Sequence, residues 1–84
     1  MNDPTKTEYN KKDIRYRYML LARLQQDCLY YLGFGNRLNK CLWAGNPVVQ
    51  INEMKEIYNS FKKDEKPQWL TFNQILSYEK DMIN

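Results

Sequence analysis

The sequence predicts a small all-α domain of three helices, with a structured glycine-rich connection between helices 1 and 2. Three segments carry apolar residues at intervals of three and four positions, which is the spacing of a buried helix face. No segment keeps the alternation of apolar and polar residues that indicates a half-buried strand. We expect residues 1–12 to form a flexible N-terminal arm and residues 13–84 to form a single helical domain.

The first helix is predicted to run from about Asp13 to Leu32. Gly33 follows its last apolar position and is expected to stop the helix in the left-handed conformation. Arg23 and Asp27 lie four residues apart, so we expect an ion pair worth about 0.3 kcal/mol. The predicted apolar face comprises Ile14, Tyr18, Leu21, Leu24, Cys28, Leu29 and Leu32.

The connection at residues 33–45 is predicted to be shaped, since a connection this long in a small domain usually carries structure of its own. Gly35 permits a positive φ and Asn36 tolerates one. The segment "LNKCLW" is expected to form one helical turn, and Trp43 is expected to pack into the core. The run "GFGNR" superficially resembles a phosphate-binding loop, but a helix precedes it and the motif's third glycine is missing.

The second helix is predicted to begin at Pro47, because Asn46 is a strong N-cap and proline is favoured at the first helical position. Gly45 is expected to turn the chain just before this cap. A charged loop at residues 62–68, which contains Pro67, ends the helical pattern. The predicted apolar stripe comprises Val48, Ile51, Met54, Ile57, Tyr58 and Phe61.

The third helix has the clearest start signal in the chain. Thr71 and Gln74 match a capping box, and Leu70 and Ile75 match the hydrophobic staple that accompanies it. Trp69 precedes the cap and is expected to close one end of the core; the alternative is an exposed tryptophan that binds a partner. The predicted buried face comprises Phe72, Ile75, Leu76 and Met82.

The composition argues against an enzyme. The chain has no histidine, which removes the commonest general base and the commonest zinc ligand. Cys28 and Cys41 do not make a zinc site without histidine, and we expect both thiols to be free. No pair of acidic residues has a spacing typical of acid–base catalysis. We therefore predict no catalytic residue, no metal, no cofactor and no small-molecule substrate.

Basic side chains concentrate in the first half of the chain. Residues 1–41 hold eight basic and four acidic side chains, whereas residues 42–84 hold five and six. Five cations cluster near the start of helix 1, at Lys11, Lys12, Arg15, Arg17 and Arg23. A mixture of arginine and tyrosine suits single-stranded or folded RNA, and it equally suits a protein interface. An ordinary solvated helix face is the third alternative.

The predicted partner-binding surface combines the basic face of helix 1 with the glycine-rich connection. Its basic side chains are expected to pair with carboxylates or phosphates, and its tyrosines are expected to stack. The candidate residues are Lys12, Arg15, Tyr16, Arg23, Tyr30, Arg37 and Lys40.

Several segments resemble one type of large polyvalent protein-associated domain. The most specific are "DCLYYLGFGNR" and "LWAG", and the likeness extends over roughly residues 19–82. Such modules occur in phages and conjugative elements, alone or fused into very large polypeptides, and no catalytic residues are established for them. Cys41 and the opening "NPVVQI" of helix 2 depart from the family's pattern. The N-terminus has no apolar signal segment and no run approaches about 18 apolar residues, so we expect a cytoplasmic location in a host bacterial cell and no membrane partner.

The resemblance implies a counter-defence protein of a phage or mobile element. We expect an anti-CRISPR-type inhibitor, not an enzyme, that binds a host effector nuclease. The most specific form of this expectation is that the partner is an RNA-targeting type VI effector with its guide RNA. The alternative is a small nucleic-acid-binding accessory module of a mobile element, and a small enzyme is the third hypothesis.

Overall fold

The computed structural model of the protein describes residues 13–33 and 38–83. No strand occurs within these two segments, and the predicted all-α class is confirmed. The predicted arm, residues 1–12, lies outside the described residues. The helices are α1 (Ile14–Gly33), α2 (Pro47–Ser60) and α3 (Phe72–Ile83), and 3-10 turns occur at Asn39–Cys41 and Lys63–Glu65.

Helices α1 and α2 run in opposite directions. Arg17, near the start of α1, donates to Ser60 at the end of α2, whereas Leu24 accepts a hydrogen bond from Gln50 near the start of α2. Helix α3 reverses direction again along α2, because Phe72 at its start lies beside the end of α2. The loop from α2 to α3 and the connection from α1 to α2 therefore lie at opposite ends of the fold.

The core lies between the three helices and receives side chains from each of them. On α1, Leu20 and Tyr31 are buried, although they lie outside the predicted apolar face. Leu29 belongs to that predicted face but is about half exposed, so this prediction is wrong. Compared with the predicted face, the buried face of α1 is rotated about the helix axis toward the position of Arg17. The Arg17 side chain packs over the end of α2. The fully buried apolar side chains are Leu21, Leu24, Cys28, Ile51, Met54, Ile57, Leu70 and Ile75.

Both tryptophans are exposed, which corrects the core positions predicted for them. Trp43 is 47% exposed and Trp69 is 44% exposed. In each case the neighbouring leucine takes the buried position, Leu42 beside Trp43 and Leu70 beside Trp69. The core of so small a domain has room for one of the two adjacent side chains, and the leucine occupies it.

Two further positions of the predicted apolar stripes are also exposed. Val48 lies in the first turn of α2 and is about half exposed, and Leu76 on α3 is more than one-third exposed. Gln50, a polar residue that periodicity does not place in the core, is fully buried instead. Its amide makes hydrogen bonds at both ends, which is the condition under which a polar side chain is found in a protein interior.

The helix starts follow the local sequence signals. The Asn46 side chain accepts from the backbone N–H groups of Val48 and Val49 at 2.8 and 3.3 Å, as an N-cap does. At α3 the Thr71 N–H donates to the Gln74 side chain at 2.8 Å, and the Gln74 N–H donates to the Thr71 hydroxyl at 3.1 Å. The predicted N-cap and capping box are both confirmed.

The glycine predicted to end α1 does so without the left-handed conformation. Gly33 is the last residue of the helix, and among the described glycines only Gly45 has a positive φ, of 73°. The predicted turn at Gly45 is therefore confirmed, and the predicted helical turn in the connection is present at Asn39–Cys41. Gly35 and Asn36 lie outside the described residues.

Both cysteines are free thiols, as predicted, and Cys28 is fully enclosed with its Sγ atom 3.6 Å from the Met54 Sδ atom. Burial, together with the negative charge of Asp27, raises the pKa of the Cys28 thiol to about 12. An unfolded thiol ionises near pH 8.5. Above that pH the unfolded state releases a proton that the folded state keeps, so alkaline conditions favour unfolding.

We expect the wild-type protein to lose about 2 kcal/mol more stability between pH 8 and pH 10 than the Cys28→Ala variant loses. Urea unfolding followed by circular dichroism at both pH values measures this difference. Cys41→Ala is the matched control, since it leaves Cys28 in place and should keep the wild-type pH dependence. An equal loss in the wild type and in Cys28→Ala would contradict the prediction.

Candidate partner-binding surface

The structure places four of the predicted contact residues on the solvent-facing side of α1, together with two residues that lie between them. We call this surface the outer face of α1. Lys40 is exposed on the 3-10 turn Asn39–Cys41. Lys12 and Arg37, the other two predicted contact residues, lie outside the described residues. The outer face of α1 comprises Arg15, Tyr16, Met19, Arg23, Gln26 and Tyr30.

The outer face of α1 is more apolar than its arginines suggest. Met19 lies near its middle and is 64% exposed, and the rings of Tyr16 and Tyr30 are also exposed. These three residues are spaced by three and eleven positions, so they lie on one side of the helix. Exposed methionine and tyrosine side chains in one stripe are typical of protein-contact surfaces.

The two arginines of the outer face are each paired with a carboxylate. Arg15 Nη2 lies 3.3 Å from Asp13 Oδ2, and hydrogen bonds from Arg15 lower the pKa of the Asp13 carboxyl. Arg23 Nε lies 3.6 Å from Asp27 Oδ1, which confirms the predicted i,i+4 pair. Such exposed pairs add little stability, but they offset much of the positive charge that a phosphate backbone requires.

Arg17 contributes nothing to the outer face, although it belongs to the basic cluster of the sequence. Its side chain is only 8% exposed, and its Nη1 atom donates to the backbone and side-chain oxygens of Ser60 at 2.9 and 3.1 Å. The guanidinium lies 5.1 Å from the centre of the Phe61 ring. The Nε atom is buried and has no hydrogen bond within the described residues. Arg17 is thus a structural residue that neutralises the C-terminal end of α2.

Lys66 makes a second cationic cap at the same helix end. Its ammonium group donates to the backbone oxygens of Tyr58 and Phe61, both at 3.1 Å, and lies 4.7 Å from the centre of the Tyr58 ring. The last carbonyls of α2 are therefore held by the chain's own cations. At this end of the fold, Arg17 and Lys66 therefore have a structural role.

At the opposite end of the fold, the chain makes a tight turn at residues 42–46, which we call the Trp43 turn. The backbone N–H of Trp43 donates to Asp27 Oδ2 at 2.8 Å, and that of Ala44 donates to Gln50 Oε1 at 2.9 Å. The Gly45 N–H closes the turn onto the Leu42 carbonyl at 3.0 Å. Three successive backbone donors are thus fixed, two of them by side chains from α1 and α2.

Asp27 and Gln50 connect this turn to the rest of the fold. Asp27 uses one carboxylate oxygen for Arg23 and the other for the Trp43 N–H. Gln50 accepts from Ala44 through its oxygen and donates through its nitrogen to the Leu24 carbonyl at 3.2 Å. The sequence indicates the Arg23–Asp27 pair but not the hydrogen bonds to the turn, because those depend on how the turn packs against α1 and α2.

The family model of large polyvalent protein-associated domain 11 matches residues 14–82. The protein belongs to this family. The match covers all three helices of the domain, and it includes the outer face of α1 and the Trp43 turn. Membership in large polyvalent protein-associated domain 11 associates the chain with phages and other mobile elements. No curated protein and no solved structure matches the chain.

The described part of this large polyvalent protein-associated domain shows neither a metal-binding cluster nor a membrane-spanning helix. Within residues 13–33 and 38–83, no three histidine, cysteine, aspartate or glutamate side chains come together in a way that would hold a metal ion. None of the helices in those segments is both long and apolar enough to cross a membrane.

Proposed function

We propose that the protein is a non-enzymatic, anti-CRISPR-type inhibitor that docks on a host effector nuclease through the outer face of α1. The observation that carries this proposal is the exposed apolar stripe around Met19, in which both neighbouring arginines are paired with carboxylates. Such a stripe buries apolar area and aromatic rings against a protein, which is how most docking surfaces gain their affinity. The family membership supports a mobile-element setting, in which defence nucleases are the natural targets.

The second candidate function is a nucleic-acid-binding accessory module, favoured by the exposed tyrosines and by Lys40. The ion pairs of Arg15 and Arg23 weigh against it, because those cations must leave their carboxylates to contact phosphates. The burial of Arg17 removes a third cation from the surface. An RNA complex would gain most of its affinity from released counterions and would weaken steeply with salt. Because Arg15 and Arg23 are already paired, docking of the outer face of α1 on a protein should change little in affinity with salt concentration.

The test is a panel of purified CRISPR effector nucleases, each with and without its guide RNA, including RNA-targeting type VI effectors. We expect the protein to bind and inhibit at least one effector, with little change in affinity as the salt concentration rises. Substitution Met19→Glu places a charge in the centre of the stripe and should weaken binding by about tenfold or more. The measurements are the dissociation constant and the rate of target cleavage.

Asn52→Glu is the matched control, because Asn52 is exposed on α2, away from the outer face of α1. It adds the same charge and should leave binding unchanged. Absence of binding to every effector would overturn the proposed function. Tight, salt-sensitive binding to free RNA would replace it with the nucleic-acid-binding alternative.

A further inference from the structure

We propose that the Trp43 turn is the anchor of a docking surface, and that its partner is a protein segment that presents a large apolar side chain flanked by carboxylates. This inference extends the proposed function, since it names the chemistry of the partner surface that a docking protein of this kind would engage. It rests on three observations, which concern the rigidity of the turn, the exposure of its tryptophan and the charge around it.

The turn is held in place before any partner arrives. The N–H groups of Trp43 and Ala44 are fixed by Asp27 and Gln50, and Gly45 takes the positive φ that closes the turn. The Asn46 side chain then fixes the first turn of α2 directly after it. A side chain carried on so constrained a backbone loses little conformational entropy on binding, which is a recurring property of interface anchors.

The indole of Trp43 has no role in the core that would explain its position. Leu42 occupies the buried position next to it, and about half of the tryptophan surface faces solvent. The apolar side chains of Val48 and Val49, in the adjacent first turn of α2, are about half exposed as well. Tryptophan is among the side chains most enriched at the energetic centre of interfaces, and here it extends from a rigid turn with apolar neighbours.

The charge around the indole is positive. Lys40 is exposed three residues before Trp43. The Asp27 carboxylate, which holds the turn, is offset by its ion pair with Arg23 and also accepts from the Trp43 N–H. The first turn of α2 contains no acidic residue. An apolar anchor with a cation beside it is complementary to an apolar side chain flanked by carboxylates.

The experiment uses the full chain and a library of short random peptides displayed on phage, selected for binding to the wild-type protein. We expect the enriched peptides to combine a large apolar residue with two or more Asp or Glu residues. Trp43→Ala should weaken their binding by about tenfold or more. Lys40→Gln should weaken it by a smaller factor, because a charge at the rim contributes less than the buried anchor.

Trp69→Ala is the matched control. Trp69 is the other tryptophan, it is exposed to nearly the same extent, and it lies at the opposite end of the fold. This variant should bind the selected peptides as the wild type does. Equal binding of the peptides to Trp43→Ala and wild type would overturn the inference, and so would enriched peptides without acidic residues or the absence of any enrichment.

Two further outcomes would overturn the inference in favour of another occupant. Binding of a poly-uridine RNA that is lost in Trp43→Ala would assign the tryptophan to base stacking. Concentration-dependent self-association that is lost in the same variant would assign the turn to a second copy of this chain.

The peptide experiment also separates this inference from the proposed function. If acidic peptides bind in a way that depends on Trp43 but no effector nuclease binds, the inference about the Trp43 turn is supported and the proposed inhibitor function is overturned. If the Trp43→Ala variant binds an effector nuclease as well as the wild type does, the proposed inhibitor function is supported and the inference about the Trp43 turn is overturned.

Discussion

Replacing Arg17 by alanine is expected to lower the free energy of unfolding by about 3 kcal/mol, an unusually large effect for an arginine. The substitution removes two charge-assisted hydrogen bonds to Ser60 and the stacking of the guanidinium over Phe61. It also removes a cation from the C-terminal end of α2 and leaves a cavity. The unbonded Nε atom already reduces the benefit of the native side chain, so the expected loss is smaller than the sum of these contributions.

Arg15→Ala is the matched control, because it removes the same charge two residues earlier from an exposed position. Its expected effect is within about 0.5 kcal/mol. Urea unfolding followed by circular dichroism measures both variants. Arg17→Met, which restores most of the lost volume, should recover part of the stability. If the two alanine variants had the same stability, Arg17 would be an ordinary surface residue and its assigned structural role would be wrong.

Replacing Gln50 by leucine is expected to lower the free energy of unfolding by about 2 kcal/mol. Leucine fills a similar volume but offers no acceptor for the Ala44 N–H and no donor for the Leu24 carbonyl. Leaving such partly buried groups without partners costs about 1–3 kcal/mol. The larger consequence concerns the Trp43 turn, which loses its hydrogen bond to α2. We therefore expect the Gln50→Leu variant to bind Trp43-dependent peptides more weakly even where it is fully folded.

The control for this substitution is Gln26→Leu, the same chemical change at an exposed position of α1. It should change the free energy of unfolding by no more than about 0.5 kcal/mol. Amide hydrogen exchange adds a local measurement, since the Ala44 amide should exchange faster in Gln50→Leu and at the wild-type rate in Gln26→Leu. Unchanged exchange at Ala44 in both variants would show that Gln50 does not hold the turn.

The parts of the fold that follow from local chemistry could be predicted from the sequence. Asn46 and Pro47 define the start of α2 because their interactions lie within the first helical turn. The reciprocal hydrogen bonds of Thr71 and Gln74 are equally local. Such signals need no knowledge of the tertiary arrangement, and the helices begin within a residue or two of the predicted positions.

Burial was harder to predict, because it depends on how the helices are rotated against one another. Periodicity favoured Leu29 for the core and passed over Arg17, whose buried position depends on contact with the end of α2. The same limit applies where two large apolar residues are adjacent. In "LW" at residues 42–43 either side chain satisfies the local pattern, and only the assembled core decides which is buried.

The candidate surface was predictable in position but not in character. The sequence placed Arg15, Tyr16, Arg23 and Tyr30 on one face of α1, and they share that face in the structure. Its basic character follows from counting charges, whereas the ion pairs with Asp13 and Asp27 offset much of that charge. The exposed indole of Trp43 was missed, and the signal that could have found it is Leu42, an equally apolar neighbour able to take the buried position.

The burial of Leu42 and Leu70 beside two exposed tryptophans has an evolutionary consequence. Because the leucines carry the packing, mutations at Trp43 and Trp69 alter what the surface presents with little penalty to folding. A tryptophan that is retained at either position is therefore kept for what it contacts outside the domain, because the packing of the domain does not depend on it.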